Sequence, residues 1–165
     1  MVAENRKKSV EVLNKAVQEE LFATHQYMYF HFHCEDMGYK PLADLFHRIS
    51  IREMIHVEKF AERILFLKGD VDMKVPRSIT YTQDVAEMLK ISANLEHETV
   101  EMYNRFAAEC AAEGDNASKK MFEEILAEEE DHEDIFDTEK DNLGQFGDTF
   151  LALQAIENSK EKAEG

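Results

Sequence analysis

Across 165 residues the chain has only six glycines and two prolines, two cysteines and no tryptophan. The breakers fall at Gly38, Pro41, Gly69, Pro76, Gly114, Gly144, Gly147 and Gly165, which leaves long stretches free to run as helix, so the chain reads as all-α. Two cysteines cannot make a disulfide framework, and Cys34 and Cys110 are expected as buried thiols rather than as a regulatory disulfide. No apolar run is long enough to cross a bilayer, and no basic start precedes an apolar amino-terminal segment. Neither membrane insertion nor secretion is therefore expected, and a cytoplasmic location is the default. Positive charge is scarce as well: 19 Lys and Arg face 35 Asp and Glu, a formal net charge of -16 at pH 7. That imbalance argues against nucleic acid and anionic membranes as partners and favours cations, although most of the carboxylates are expected on a solvated face. The length fits a single domain over residues 1–165.

What the chain does have is an internal repeat at an offset of 76 residues. Leu13, Glu20, Tyr27, Phe30, Cys34 and Gly38 match Leu89, Glu96, Tyr103, Phe106, Cys110 and Gly114. Phe46, Ile49, Glu53, His56 and Phe60 match Phe122, Ile125, Glu129, His132 and Phe136, without a gap. Such a repeat is expected of a duplicated helical hairpin whose copies pack about a pseudo-twofold axis.

The punctuation predicts a first helix from about Asn5 to Asp36 and a second from Pro41 to about Lys68, joined by a short turn and so antiparallel. Gly69, Pro76 and the β-favouring run 78–82 mark a connection long enough to cross the bundle. A third helix begins at Thr82 or Asp84 and ends near Glu113, and a fourth follows Gly114 and ends near Asn142. The apolar segment Thr149 to Ile156 is too short to join the bundle as a full fifth member.

Leu13, Glu20, Tyr27 and Cys34 recur every seven residues and line one helical stripe, as do Leu89, Glu96, Tyr103 and Cys110. The spacings of three and four from Phe46 to Phe60 and from Phe122 to Phe136 give two more stripes. The four together predict the bundle core. A glutamate on an apolar stripe is anomalous, because stripping an ionised carboxylate of water costs several kcal/mol unless something compensates. Here Glu20, Glu53, Glu96 and Glu129 all lie on such stripes. Glu53 with His56 and Glu129 with His132 are spaced i, i+3, on one face. With 24 glutamates in the chain one such pair means little; the specificity lies in the six residues sharing the repeat and the stripes.

Four carboxylates and two imidazoles suit Fe or Mn and, less selectively, Zn. Four carboxylates also balance the charge of two Fe(II). Symmetry suggests Glu53 and Glu129 as bridges, with Glu20 and His56 on one metal and Glu96 and His132 on the other.

The segments from Glu20 to Tyr27, from Glu53 to His56, from Glu62 to Leu67 and from Glu128 to His132 resemble bacterioferritin, over essentially the whole chain. The resemblance implies a ferritin-like four-helix bundle with a long crossover between helices 2 and 3 and a short fifth carboxy-terminal helix. It implies assembly from dimers into a hollow homo-oligomeric shell of 24 subunits that oxidises Fe(II) with O2 or H2O2 and stores the ferric mineral. Glu20, Glu53, His56, Glu96, Glu129 and His132 match the family's ligands for two Fe per subunit, and Tyr27 the tyrosine beside them. Met54 matches the methionine that binds a haem shared between two subunits. Helical geometry agrees, since Met54 stands about 100° from Glu53 and about 200° from His56 around the axis. A ferredoxin is the electron donor that such a protein would use to release iron.

Arg48 and Arg52 stand where some bacterioferritins carry a histidine and an aspartate on the inner surface, which argues against an inner iron site beneath the pair. Cys34 and Cys110 lie on matching stripes that the pseudo-axis could bring together. His31 and His33 do not share a helical face and are expected at a surface or interface. The rival reading is a rubrerythrin-like diiron peroxidase, a family that usually adds a small iron domain with paired cysteines. A structural bundle holding zinc adventitiously is a third.

Overall fold

The structure, a computed structural model, describes residues 6–165, so the expected first residue of the first helix, Asn5, lies outside the described residues. It consists of α1 (Lys7–Asp36), α2 (Lys40–Phe66), α3 (Val85–Ala112), α4 (Asn116–Phe146) and α5 (Asp148–Glu164). No strand occurs among the described residues. α1 and α2 form one antiparallel hairpin and α3 and α4 the other.

Both hairpin turns are built in the same way. Gly38 and Gly114, which match in the repeat, take left-handed φ of 79° and 70°. Each lets the next amide reach back into the helix just ended, Tyr39 to the Cys34 carbonyl and Asp115 to that of Cys110, both at 2.8 Å. α3 and α4 start on aspartates whose carboxylates accept a free first-turn amide, Asp84 from Glu87 and Asp115 from Ser118. Between α2 and α3 the chain runs along α1, where side-chain amides replace a strand partner. Asn14 pairs with the backbone of Asp70 and Asp72, and Gln26 holds Thr80 at both its N–H and its carbonyl. This crossover sets the two hairpins against each other.

Every residue of the four expected stripes is buried. They form two apolar layers. One, around Tyr27, Phe30, Phe46 and Phe136, fills the end of the bundle that holds the α1–α2 turn. The other, around Phe60, Tyr103, Phe106 and Phe122, fills the opposite end. Their ring contacts obey the repeat: Tyr27 stacks near Phe136 at 5.3 Å and Tyr103 near Phe60 at 5.6 Å. The level between the layers is where the four glutamates lie.

The chain departs from expectation at its carboxy-terminal end. α4 does not stop near Asn142 but carries Gly144 inside it and breaks only at Gly147, whose φ is 53°. α5 then extends over 17 residues, well past Ile156. Its second half is polar and rich in good helix formers, so propensity continues what burial does not require; of this helix only Phe150 is buried. α5 packs outside the bundle on α2 and α4, and its Gln154 accepts from the free amide of Leu42 at 3.1 Å.

Candidate metal centre

α1 and α3 each contribute one glutamate to the polar level, and α2 and α4 each a glutamate and a histidine one turn on. Glu20, Glu53, His56, Glu96 and Glu129 are no more than 2% exposed and His132 is 7% exposed. Their ligand atoms fall into two sets, each within 4.8 Å: Glu20, Glu53, His56 and Glu129, and Glu53, Glu96, Glu129 and His132. Glu53 and Glu129 belong to both. His56 Nδ1 lies 3.0 Å from oxygens of Glu53 and Glu129 and 3.5 Å from Glu20. His132 Nδ1 lies 3.0 Å from Glu53 and 3.1 Å from Glu129. The two rings face each other at 6.3 Å. Tyr27 donates its hydroxyl to Glu96, and Tyr103 donates to Glu20. The layer at each end thus anchors the terminal carboxylate of the opposite hairpin.

Crowding of like charges in a dry place shapes the proton affinities. Burial, then the charges of Glu96 and Glu20, push Glu53 up to about 7. Burial and the neighbouring Glu129 hold Glu96 well above the usual carboxylate range, and burial with Glu53 and Glu20 raises Glu129. For Glu20 burial is outweighed by the hydrogen bond and charge of His56, and its affinity falls. Burial would lower both imidazoles, yet contacts with Glu129, Glu20 and Glu53 lift His56 far above its ordinary value, and Glu129 and Glu53 lift His132 to about 11. Without metal the site therefore holds protons that compensate its carboxylates. Glu53 Oε1 and Glu129 Oε1 are buried without a well-formed hydrogen bond, each only in ion-pair contact at 3.0 Å with an imidazole Nδ1, that of His132 and of His56 respectively. Crowded oxygens on the two shared carboxylates, beside nitrogens of fitting type, suit a pair of divalent cations.

The Ferritin-like domain family matches residues 10–145 of the chain. Bacterioferritin of Desulfovibrio desulfuricans is 39% identical over 90% of this chain and 84% of its own length. That of Brucella melitensis is 34% identical over 86% of this chain and 88% of its own. The X-ray structure of the D. desulfuricans protein, described for its diiron site in different catalytic states, superposes with a TM-score of 0.91 at 37% identity, covering 92% of this chain and 89% of that one. The chain belongs to the bacterioferritin family.

Bacterioferritins are ferroxidases, and the bundle found here, with its crossover and its extra helix, is the family's fold. Of the residues expected from the sequence, Glu20, Glu53, His56, Glu96, Glu129 and His132 converge and Tyr27 joins them. Met54 does not; it is 43% exposed on the outer side of α2. Sequence reasoning missed two contacts. Tyr103 repeats the role of Tyr27, and its match at the 76-residue offset is the signal that identifies it. Glu128 accepts from His56 Nε2 at 3.0 Å, a contact for which the sequence carries no spacing signal.

Arg52 and Lys59 pair with this Glu128. Cys34 and Cys110 are buried and free but not neighbours. Cys34 Sγ donates to Met88 Sδ at 3.7 Å, and Cys110 lies at the far end of α3, about 33 Å further along at the helical rise. The pseudo-axis relates the two thiols by placing them at opposite ends. His31 donates to the Ala43 carbonyl and His33 packs on Tyr29. No helix among the described residues is long and apolar enough to cross a membrane.

Proposed function

We propose that this chain is the subunit of an iron-storing ferroxidase. Two Fe(II) bind at Glu20, Glu53, His56, Glu96, Glu129 and His132, with Glu53 and Glu129 shared. Each gives up one electron, and the two electrons reduce O2 to H2O2 or H2O2 to water. The Fe(III) then passes into a homo-oligomeric shell of 24 subunits built from dimers, in the cytoplasm. The observation that carries this reading is the convergence of four buried carboxylates and two buried imidazoles into two ligand sets that share Glu53 and Glu129. The protein's own groups prepare the reaction: Tyr27 and Tyr103 orient the terminal carboxylates, and the aromatic layers keep bulk water from both ends. Because both imidazoles and several carboxylates hold protons without metal, Fe(II) uptake displaces protons from the site.

Met54 extends from α2 one residue beyond a shared glutamate, with its thioether exposed beside the exposed Ile51. A soft sulfur on an outward apolar patch would help to hold a haem shared with a second copy, and such a haem would supply one-electron transfer when bound. A ferredoxin is a fitting donor to it. Replacing Met54 by alanine removes the haem absorption band while leaving Fe(II) oxidation in place; a retained band would refute this assignment.

Anaerobic Fe(II) titration of the metal-free protein, then air, then excess iron, tests the whole reading. Two Fe(II) per chain oxidised fast, followed by continued uptake of soluble iron, supports storage. Oxidation that stops at the site favours a rubrerythrin-like diiron peroxidase, and none at all would refute both.

A further inference from the structure

The site obeys the repeat in its six ligands and in both tyrosines, but not at the outer edge of its imidazoles. His56 Nδ1 faces the carboxylates, and its other nitrogen, Nε2, lies 3.0 Å from Glu128. Glu128 is an acceptor held by two cations, Arg52 and, at 3.3 Å, Lys59, so Nε2–H is the donor, and Nδ1 is the nitrogen whose proton a metal ion would displace. The repeat assigns the equivalent contact on His132 to residue 52. That residue is Arg52, a guanidinium with five donors and no acceptor, and it turns to Glu128 instead. Lys59 has Ile135 as its mate, so the second cation of the cluster is unmatched too. Among the described residues His132 Nε2 has no carboxylate partner.

We propose that Glu128 is a positioning residue that makes the two metal subsites unequal: the subsite of Glu20 and His56 takes a divalent cation before the subsite of Glu96 and His132. The physical reason is that a carboxylate accepting the far N–H of a ligating imidazole fixes its tautomer and ring orientation and raises its basicity. Loss of such a partner typically weakens metal binding by about 10–100-fold. His132 must find its orientation without that help. This inference rests on the metal-centre reading given above.

The test is anaerobic titration of the metal-free assembled protein with Co(II), whose visible bands report coordination without turnover. Two Co(II) per chain are expected. A smaller capacity would overturn the metal-centre reading and this inference with it. Mutual repulsion of two cations alone makes a second ion bind more weakly, so each subsite is read by itself. With His132→Ala only the His56 subsite stays intact, and adding Glu128→Gln is expected to weaken its Co(II) affinity by about 10–100-fold. With His56→Ala only the His132 subsite stays intact, and adding Glu128→Gln is expected to change nothing. Equal weakening in both backgrounds, the mark of a general charge effect, overturns the proposal, as does no weakening in either. Should a histidine variant not assemble, Arg52→Glu in the otherwise native chain gives the second reading. It offers His132 the residue that His56 already has and removes one of the two cations from Glu128, and is expected to narrow the spacing between the two steps. If the spacing between the two steps stays unchanged, the inference is refuted.

Discussion

Replacing Glu53 by glutamine is expected to make the metal-free protein more stable while destroying its metal centre, and the gain should depend on pH. Glu53 has an ordinary value of 4.5 in the unfolded chain and is pushed up to about 7 in the fold by burial and by the charges of Glu96 and Glu20. A raised folded value means that the native state binds the proton more tightly. The stability this contributes is complete below pH 4.5 and is lost as pH climbs through 7. At about 1.4 kcal/mol per unit, the loss relative to the protonated form is about 3 kcal/mol at pH 8 and under about 1 kcal/mol at pH 5. Glutamine is a near-isostere of the protonated acid and escapes the loss. A chain of this size moves by about 2–4 °C per kcal/mol, so calorimetry of the metal-free variant should show a melting point about 6–12 °C above the native chain at pH 8 and about 1–3 °C above it at pH 5. A shift of the same size at both pH values, or a lower melting point at pH 8, would refute the reasoning.

Tyr27→Phe and Tyr103→Phe each leave a buried carboxylate oxygen of Glu96 or Glu20 without its donor, which should cost about 1–3 kcal/mol in denaturant unfolding of the metal-free protein; unchanged midpoints would show that the phenols are spectators. Gly69→Ala introduces a Cβ at 2.7 Å from Val10 Cγ1 and 3.1 Å from Ile64 Cγ2. Both neighbours are β-branched and stiff, so a loss of about 1–3 kcal/mol is expected, whereas a neutral outcome would mean that the crossover slides aside freely. Burial pushes the Cys34 thiol up to about 12 and Cys110 to about 11, so neither forms thiolate at pH 8. An aromatic disulfide reagent should therefore find no reactive thiol in the native protein and two per chain in denaturant; rapid native reaction would contradict the burial.

The helical stripes and the six convergent residues were legible because duplication printed each constraint twice. Glu20 on an apolar stripe is a single oddity; Glu20 and Glu96 at one offset, with Glu53 and Glu129 behind them, are a pattern. Asp84, one of the two candidate starts of α3, was legible for a local reason, since a cap acts within three residues. The end of α4 was not. Gly144 reads as a breaker in sequence, but nothing around it forces a positive φ, and glycine in a long helix costs only about 1 kcal/mol relative to alanine, which the flanking turns absorb. The two thiols are buried and free, as expected, but their separation was not legible, because an antiparallel arrangement of α1 and α3 puts matching positions at opposite ends and stripes alone do not reveal direction. Glu128 was hidden because its partner lies on another helix, 72 residues away.

The places where the repeat fails are as informative as those where it holds. Two halves that share a reaction must agree wherever both metals need the same thing, and the six ligands and two tyrosines do agree. A function that only one half performs is free of that constraint. Met54 faces Glu130 across the offset, Arg52 faces Glu128, and Lys59 faces Ile135. All six positions flank the metal centre, yet none supplies a ligand to the cation sets. Three of the six form one connected set: Arg52 and Lys59 close on Glu128, and Glu128 on His56. That asymmetric set touches His56 and leaves its mate His132 without an equivalent contact, which is the difference the unequal filling of the two subsites would draw on.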